Sequence, residues 1–124
     1  MRKDLVEKYN IDTTQIKEPK DLESVFETVK AGEPDMTMLY SSSENDAPAT
    51  RLFRGDTLSD NNYLGVLMDQ TNSTKLENFF ATDWFKDTTT MLHNWYQKGY
   101  ISQDAGTNTE NWRTCLLYTS DAAD

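Results

Sequence analysis

The sequence is poor in cysteine and in long apolar runs, and each shortage excludes a class of protein. Its single cysteine, Cys115, can form neither an internal disulfide nor a cysteine-based zinc site. No stretch approaches the roughly 20 apolar residues that a membrane-spanning helix needs. The N-terminal MRKDLVEK also lacks the apolar core of a signal peptide. Read as a true start, it predicts a cytoplasmic protein, whereas the start of an internal piece says nothing about export.

Basic residues are scarce as well. Twelve Lys and Arg against 21 Asp and Glu give a net charge of -9. Such a surface repels nucleic-acid phosphates and anionic lipid headgroups, so we expect neither as a partner. The acidic balance favours a neutral or cationic small-molecule ligand. With 124 residues, 11% of them aromatic, the chain is predicted to be one small folded domain or a piece of a larger one.

The strongest local signal is a helix across Thr82–Gly99, whose two ends are both marked. Thr82 suits the N-cap, and Gly99 suits the left-handed closing residue. Residues between them recur at the three-and-four spacing of one helix face, which predicts a buried stripe of Trp84, Thr88, Met91, Leu92 and Trp95. We expect Ser102 to cap a further helix that starts at Gln103.

The rest of the chain predicts two more helices and two or three strands. One helix covers Arg2–Tyr9 and stops at Asn10, and another begins around Pro19 and ends at Gly32. Short apolar runs predict strands at Met36–Tyr40 and Tyr63–Asp69, while Lys75–Phe80 fits a third strand or the approach to the long helix. The intervening Ser41–Asn62 predicts an irregular loop. This order of elements indicates an α/β fold.

No arrangement typical of a catalytic site is present, so we expect a protein that is not an enzyme and uses no cofactor. His93 stands alone in the long helix. The loop pairs Asp56/Asp60 and Glu44/Asp46 leave a glycosidase open as an alternative, although acids are common in so acidic a chain. The run DTLSDNN lacks the glycine and terminal glutamate of a calcium loop, so we expect no metal site.

Aromatic and basic residues provide the candidates for ligand binding. Tyr40 ends the first predicted strand, where α/β sheets place ligand-facing residues, and Tyr63 begins the second. Sugars stack their C–H faces on aromatic rings, while side chains such as that of Arg51 bind the hydroxyls. Trp112 fits either a ligand platform or a core residue. The predicted ligand-binding residues are therefore Tyr40, Arg51, Tyr63 and Trp112.

The last ten residues, CLLYTSDAAD, change character abruptly. They match, codon by codon, the translation of a transposase sequencing adapter, TGT CTC TTA TAC ACA TCT GAC GCT GCC GAC. We therefore expect residues 115–124 to be an adapter-derived artefact, the alternative being a polar C-terminus that happens to match. Without them the chain loses two aspartates and no basic residue, so it stays strongly acidic.

Several phrases of the chain have the order and spacing of one family. An R-x-D-L-x-x-K-Y-x-I phrase opens MRKDLVEKYNID, and a W-Y-x-K-G-Y-I phrase closes the long helix; EPKDLESVFETVKAGEPDMTMLY and GDTLSDNNYLGVLMD lie between them. From Arg2 to about Arg113 the chain resembles the extracellular solute-binding proteins of bacterial ABC importers. It is similar above all to the carbohydrate- and lipooligosaccharide-binding lipoproteins of gut Firmicutes.

The resemblance implies a two-lobed, type II periplasmic-binding-protein-like fold that closes on a sugar or oligosaccharide and delivers it to an ABC permease. Residues 1–114 would form a partial solute-binding domain with incomplete lobes. The whole protein would be an extracellular cell-surface lipoprotein, touching the membrane only through an N-terminal lipid anchor that is absent here. A glycoside-active enzyme fragment and a small cytoplasmic interaction domain remain the alternatives.

Overall fold

The computed structural model describes residues 2–41, 48–59, 62–69 and 71–107. Helices and strands are mixed along the chain, as an α/β fold requires, and three short 3-10 helices join them. The helices are α1 (Lys3–Lys8), α2 (Leu22–Gly32), α3 (Pro48–Leu52) and α4 (Asp83–Gln97), and the strands are β1 (Val66–Leu67) and β2 (Leu76–Glu77). Two compact units are present: Met1–Asp46 together with Asn94–Asp124, and Ala47–His93.

Helix α4 confirms the predicted long helix and its end signals. The hydroxyl of Thr82 accepts the Phe85 N–H at 3.2 Å, which satisfies one of the free donors of the first turn. Gly99 closes the helix with a φ of 72°, in the left-handed region. Thr88 and Trp95 are buried on the predicted stripe.

Helices α1 and α2 also follow the sequence signals. Asn10 stops the first helix with a φ of 50°. Pro19 opens a 3-10 turn that leads into α2, and the Asp21 carboxylate accepts the Glu18 N–H at 2.8 Å. The capping interactions therefore set the start of α2 where the proline predicts it.

The strand predictions need correction. No strand forms over Met36–Tyr40 in the part of the chain described: Leu39 makes a single parallel bridge to Ile101. The Tyr100 carbonyl accepts both the Met38 and Leu39 N–H groups, so an alternating ladder does not propagate. Tyr63–Asp69 contains only the two residues of β1, which pairs antiparallel with β2.

Both alternatives for Lys75–Phe80 are realised in turn, because β2 is followed by a 3-10 helix at Phe79–Ala81 that leads into α4. The predicted irregular loop Ser41–Asn62 was wrong where it covers α3, since proline at the first position and the following Ala-Thr-Arg-Leu suit a helix. The helix expected after Ser102 was also wrong. In its place Ala105 and Thr107 donate turn hydrogen bonds to Ser102 and Asp104.

Each unit has its own aromatic core. In the first unit, the Phe26 ring packs edge-on against Trp95 at 5.0 Å and Tyr100 at 5.7 Å between centroids. Lys98 pairs there with Glu23 and Glu27 of α2. In the second unit, Phe79 and Val66 are fully buried. Across the described residues, the helices are too short or too polar to cross a membrane.

Candidate functional site

The most distinctive feature of the second unit is a group of aromatic rings around Phe79. Phe79 is completely buried, and five rings lie with their centroids 4.8 to 5.6 Å from its own. Three of these pairs are edge-on, a geometry that aromatic quadrupoles prefer, and the other two are tilted. We call this group the aromatic cluster; its members are Phe53, Tyr63, Phe79, Phe80, Trp84 and Phe85.

Local hydrogen bonds at the start of α4 hold the cluster together. The Asn78 side chain accepts the Phe80 N–H at 3.0 Å, and the Thr82 hydroxyl donates to the Phe79 carbonyl at 2.6 Å. These two bonds set the chain direction between the 3-10 helix and α4. Because of that turn, Phe79 points into the cluster while its neighbour Phe80 is 50% exposed.

Hydrogen bonds and close packing fix the backbone at Gly55 and Asp56. Asp56 exchanges two backbone hydrogen bonds with Leu67, at 2.9 and 2.8 Å, and its carboxylate accepts the Leu58 N–H at 2.8 Å. A Cβ at Gly55 would lie 2.3 Å from the Phe53 ring and 2.4 Å from the Leu67 carbonyl oxygen. Only glycine permits this close approach.

The four predicted ligand-binding residues lie in different environments. Tyr63 belongs to the aromatic cluster, half-buried, with its ring 6.5 Å from Phe53 and 5.3 Å from Phe79. Arg51 lies in the same unit, exposed on α3. Tyr40 is in the first unit, half-buried, directly after the Leu39–Ile101 bridge. Trp112 lies outside the described residues.

Phe80 is an aromatic candidate that the sequence patterns did not single out. Its ring lies 5.2 Å from that of Phe85, and half of its surface stays exposed. The sequence feature that could have identified Phe80 is the Phe79-Phe80 pair. In an extended or 3-10 segment, two consecutive side chains point in different directions, so one of them faces solvent when the other is buried.

The first unit contains an open groove of about 450 Å³ beside α2. Several of its polar groups are already engaged by nearby atoms. The Asp12 carboxylate accepts from Thr14, and the hydroxyls of Ser24 and Thr28 donate to helix carbonyls. The groove is lined by Tyr9, Asn10, Ile11, Asp12, Gln15, Ile16, Asp21, Ser24, Val25 and Thr28.

Several charged groups of the described residues serve local structure. Hydrogen bonds from the side chains of Thr71 and Asn72 lower the pKa of Asp69 to about 2. The hydrogen bond from Lys98 lowers the pKa of Glu23, and the same contact raises the pKa of Lys98. Within the described ranges, no group of three or more His, Cys, Asp or Glu side chains is arranged to hold a metal ion.

The residues considered for catalysis are not assembled into a site in the part of the chain that the structure describes. Asp56 uses its carboxylate to support its own loop, and His93 is exposed. Asp60, Glu44 and Asp46 lie outside the described residues.

The fold is shared with a known class of binding protein. No protein-family model matches the chain, and no curated protein matches it. Matching solved structures are those of an N-glycan transport solute binding protein (NgtS) from Streptococcus pneumoniae. The structure with Man5GlcNAc aligns with a TM-score of 0.71 and 25% identity over 89% of this chain, and the structure with Man1GlcNAc has a TM-score of 0.66 and 25% identity over 87%.

The chain spans about a quarter of the length of these proteins: the aligned part covers 23% of the chain in each glycan complex. Its mixed helix and strand architecture is therefore that of part of a solute-binding protein. These structural neighbours are described as transport binding proteins.

Proposed function

We propose that the chain is part of the substrate-binding component of an ABC importer, which captures a carbohydrate-like solute and delivers it to a membrane permease. The observation that carries this proposal is the fold likeness to NgtS across 89% of the chain. The complexes of that protein contain Man5GlcNAc and Man1GlcNAc, so a neutral oligosaccharide is the solute class we infer.

Tyr63 and Arg51 are the described residues of the second unit that we assign to the solute. The half-buried Tyr63 offers part of its ring for the apolar C–H face of a sugar, and Phe53 and Phe79 pack against that ring. Arg51 is exposed, and a guanidinium donates N–H groups of the kind that bind hydroxyl oxygens. Tyr40 and Trp112 are assigned to solute on the basis of their sequence positions.

Hinge closure is the mechanism we propose for the whole protein. A solute that contacts two lobes favours the closed form, because only that form makes both sets of contacts. The permease would then recognise the closed form. Since the chain corresponds to about a quarter of NgtS, it supplies only a share of the solute contacts.

We also propose the cellular setting that the sequence resemblance implies. The whole protein would be an extracellular lipoprotein, held at the cell surface by an N-terminal lipid anchor. In this proposal, residues 1–114 are a partial solute-binding domain, and residues 115–124 derive from a sequencing adapter.

The test is a titration of the isotopically labelled 124-residue chain with Man5GlcNAc, followed by amide chemical shifts. We expect saturable shifts with a Kd of about 1 mM, equivalent to about 4 kcal/mol, because only part of a binding cleft is present. A neutral tripeptide at the same concentrations serves as the control solute. The proposal fails if the glycan shifts no amide, or if the tripeptide gives the same shifts.

A pair of arginine variants tests the assignment of Arg51. Arg51→Gln should raise the Kd for Man5GlcNAc about 2- to 12-fold, which corresponds to losing one hydrogen bond of about 0.5–1.5 kcal/mol. Arg54→Gln is the matched control, since Arg54 is also exposed and carries the same charge. Equal effects of the two substitutions would show that charge alone matters and would contradict the assignment.

A further inference from the structure

The open groove of the first unit lies between two walls. One wall is a single face of α2 and its N-cap, formed at three- and four-residue spacing by Asp21, Ser24, Val25 and Thr28. The other wall comes from residues 9–16, which follow α1 and contain a 3-10 helix. The groove volume of about 450 Å³ lies within the range of small-molecule sites, about 300–1,000 Å³.

Aliphatic side chains line both walls of the groove without being sealed in the core. Ile11 and Ile16 on one wall and Val25 on the other are all half-buried. The next residue of α2, Phe26, is buried against Trp95 in the core of the unit. Val25 therefore belongs to an apolar surface of α2 that this core does not cover, and the groove offers that surface to a ligand.

Each wall also contributes a carboxylate that local hydrogen bonds hold in place. Oδ1 of Asp12 accepts the Thr14 N–H at 3.0 Å and the Thr14 hydroxyl at 2.6 Å, while Oδ2 accepts from the Gln15 amide at 3.3 Å. Oδ2 of Asp21 accepts two backbone N–H groups at 2.9 and 2.8 Å. Within the described residues no hydrogen bond reaches Oδ1 of Asp21, so this oxygen can accept from a ligand.

The negative charge of the groove is not neutralised by its own lining. The hydrogen bond from the Thr14 side chain lowers the pKa of Asp12, and the one from the Glu18 N–H lowers the pKa of Asp21, so both carboxyls are ionised at neutral pH. The described residues that line the groove include no lysine or arginine. Lys20, next to Asp21 in sequence, pairs with Glu18 at 2.8 Å. A cationic ligand would supply the missing charge.

We propose that this groove binds an aliphatic diamine, whose ammonium groups pair with Asp12 and Asp21 and whose methylene chain lies on Ile11, Ile16 and Val25. Ammonium groups form charge-assisted hydrogen bonds with carboxylates, and methylenes gain free energy on leaving water. The site adds a second class of ligand to the oligosaccharide of the proposed function and does not depend on that function.

The experiment is a titration of the isotopically labelled 124-residue chain with 1,5-diaminopentane, followed by amide chemical shifts. We expect saturable shifts centred on the amides of Ile11, Asp12 and Val25. The diol 1,5-pentanediol has the same chain length without charge and should give no saturable shift. The shorter 1,3-diaminopropane keeps both charges but has two fewer methylenes, so its Kd should be at least about 3-fold higher.

Isosteric variants test the two carboxylates. Asp12→Asn and Asp21→Asn each keep an oxygen for the local hydrogen bonds, and each should raise the Kd for 1,5-diaminopentane about 2- to 5-fold, as for an exposed charge pair. Asp35→Asn is the matched control, because Asp35 is an exposed carboxylate of the same unit that does not line the groove. At physiological ionic strength it should change the Kd less than about 1.5-fold.

The outcomes decide for or against the diamine site. Binding of the diol as tight as that of the diamine would show that the groove does not recognise charge, and would overturn the proposal. Equal effects of Asp35→Asn and the two groove variants, or shifts spread over both units, would show diffuse attraction to an acidic surface and would overturn it as well. The proposed function is tested separately with Man5GlcNAc, so either conclusion can fail alone.

Discussion

Replacing Phe79 by alanine should remove the centre of the aromatic cluster. The side chain is fully buried among five rings, so its loss creates a cavity and breaks five aromatic contacts. Truncations of buried phenylalanine typically cost about 3–5 kcal/mol. Small domains have total stabilities of about 5–15 kcal/mol, so this loss would be a large share of the whole.

The neighbouring Phe80 is the matched control. It has the same side chain but is 50% exposed. Full burial of a phenylalanine is worth about 1.5–3 kcal/mol, so half of that burial predicts a cost of about 1 kcal/mol for Phe80→Ala. The two variants should therefore differ by at least about 2 kcal/mol.

The assay is urea unfolding followed by tryptophan fluorescence, to which Trp84 contributes from within the cluster at 5.6 Å from Phe79. The free energies of unfolding of the two variants are compared with that of the wild type. Equal losses for Phe79→Ala and Phe80→Ala would refute the reasoning, because the two positions differ chiefly in burial.

Two further predictions concern the ends of local structures. Gly99→Ala should lower the free energy of unfolding by about 1 kcal/mol. The φ of 72° is the sole cause of this loss, since a Cβ at Gly99 would meet nothing within 4 Å. The control is Gly106→Ala, which is equally uncrowded but has no positive φ and should be neutral or stabilising in the same urea assay. Asp69 should titrate at about 2 by carboxyl-carbon NMR, and Thr71→Val should raise that pKa by removing the main hydrogen bond. Because the folded pKa lies below the usual 3.8, the stability contributed by Asp69 is complete above about pH 4 and is lost as the pH falls towards 2. A titration midpoint near 3.8 in the wild type would contradict the assignment.

Helices were the part of the fold that sequence reasoning predicted well. The three-and-four spacing, the Thr82 cap and the Gly99 stop together predicted α4 within a residue or two of its observed ends. Pro19 predicted the start of α2, and Asn10 predicted the end of α1. Each of these signals acts within one or two helical turns, so the local sequence is sufficient to define it.

Strands were predicted less well than helices. Met36–Tyr40 has a strand-like composition, but it reduces to one bridge because its partner Ile101 is distant in sequence and the Tyr100 carbonyl takes two donors. Tyr63 was selected as the start of a strand, whereas the structure places it in an aromatic cluster. Whether Tyr40, Arg51, Tyr63 and Trp112 bind solute stays a prediction.

The sequence by itself determined the acidic character of the chain, the positions of its main helices and the resemblance to importer binding proteins, because composition, periodicity and capping are local properties. Only the tertiary structure decided which of two adjacent phenylalanines is buried, and which backbone is left-handed beside Asp56. Those outcomes depend on contacts such as Asp56 with Leu67 and Phe53 with Phe79, which join segments separated along the chain. No local pattern encodes such pairings, since their free energy arises only when the segments meet.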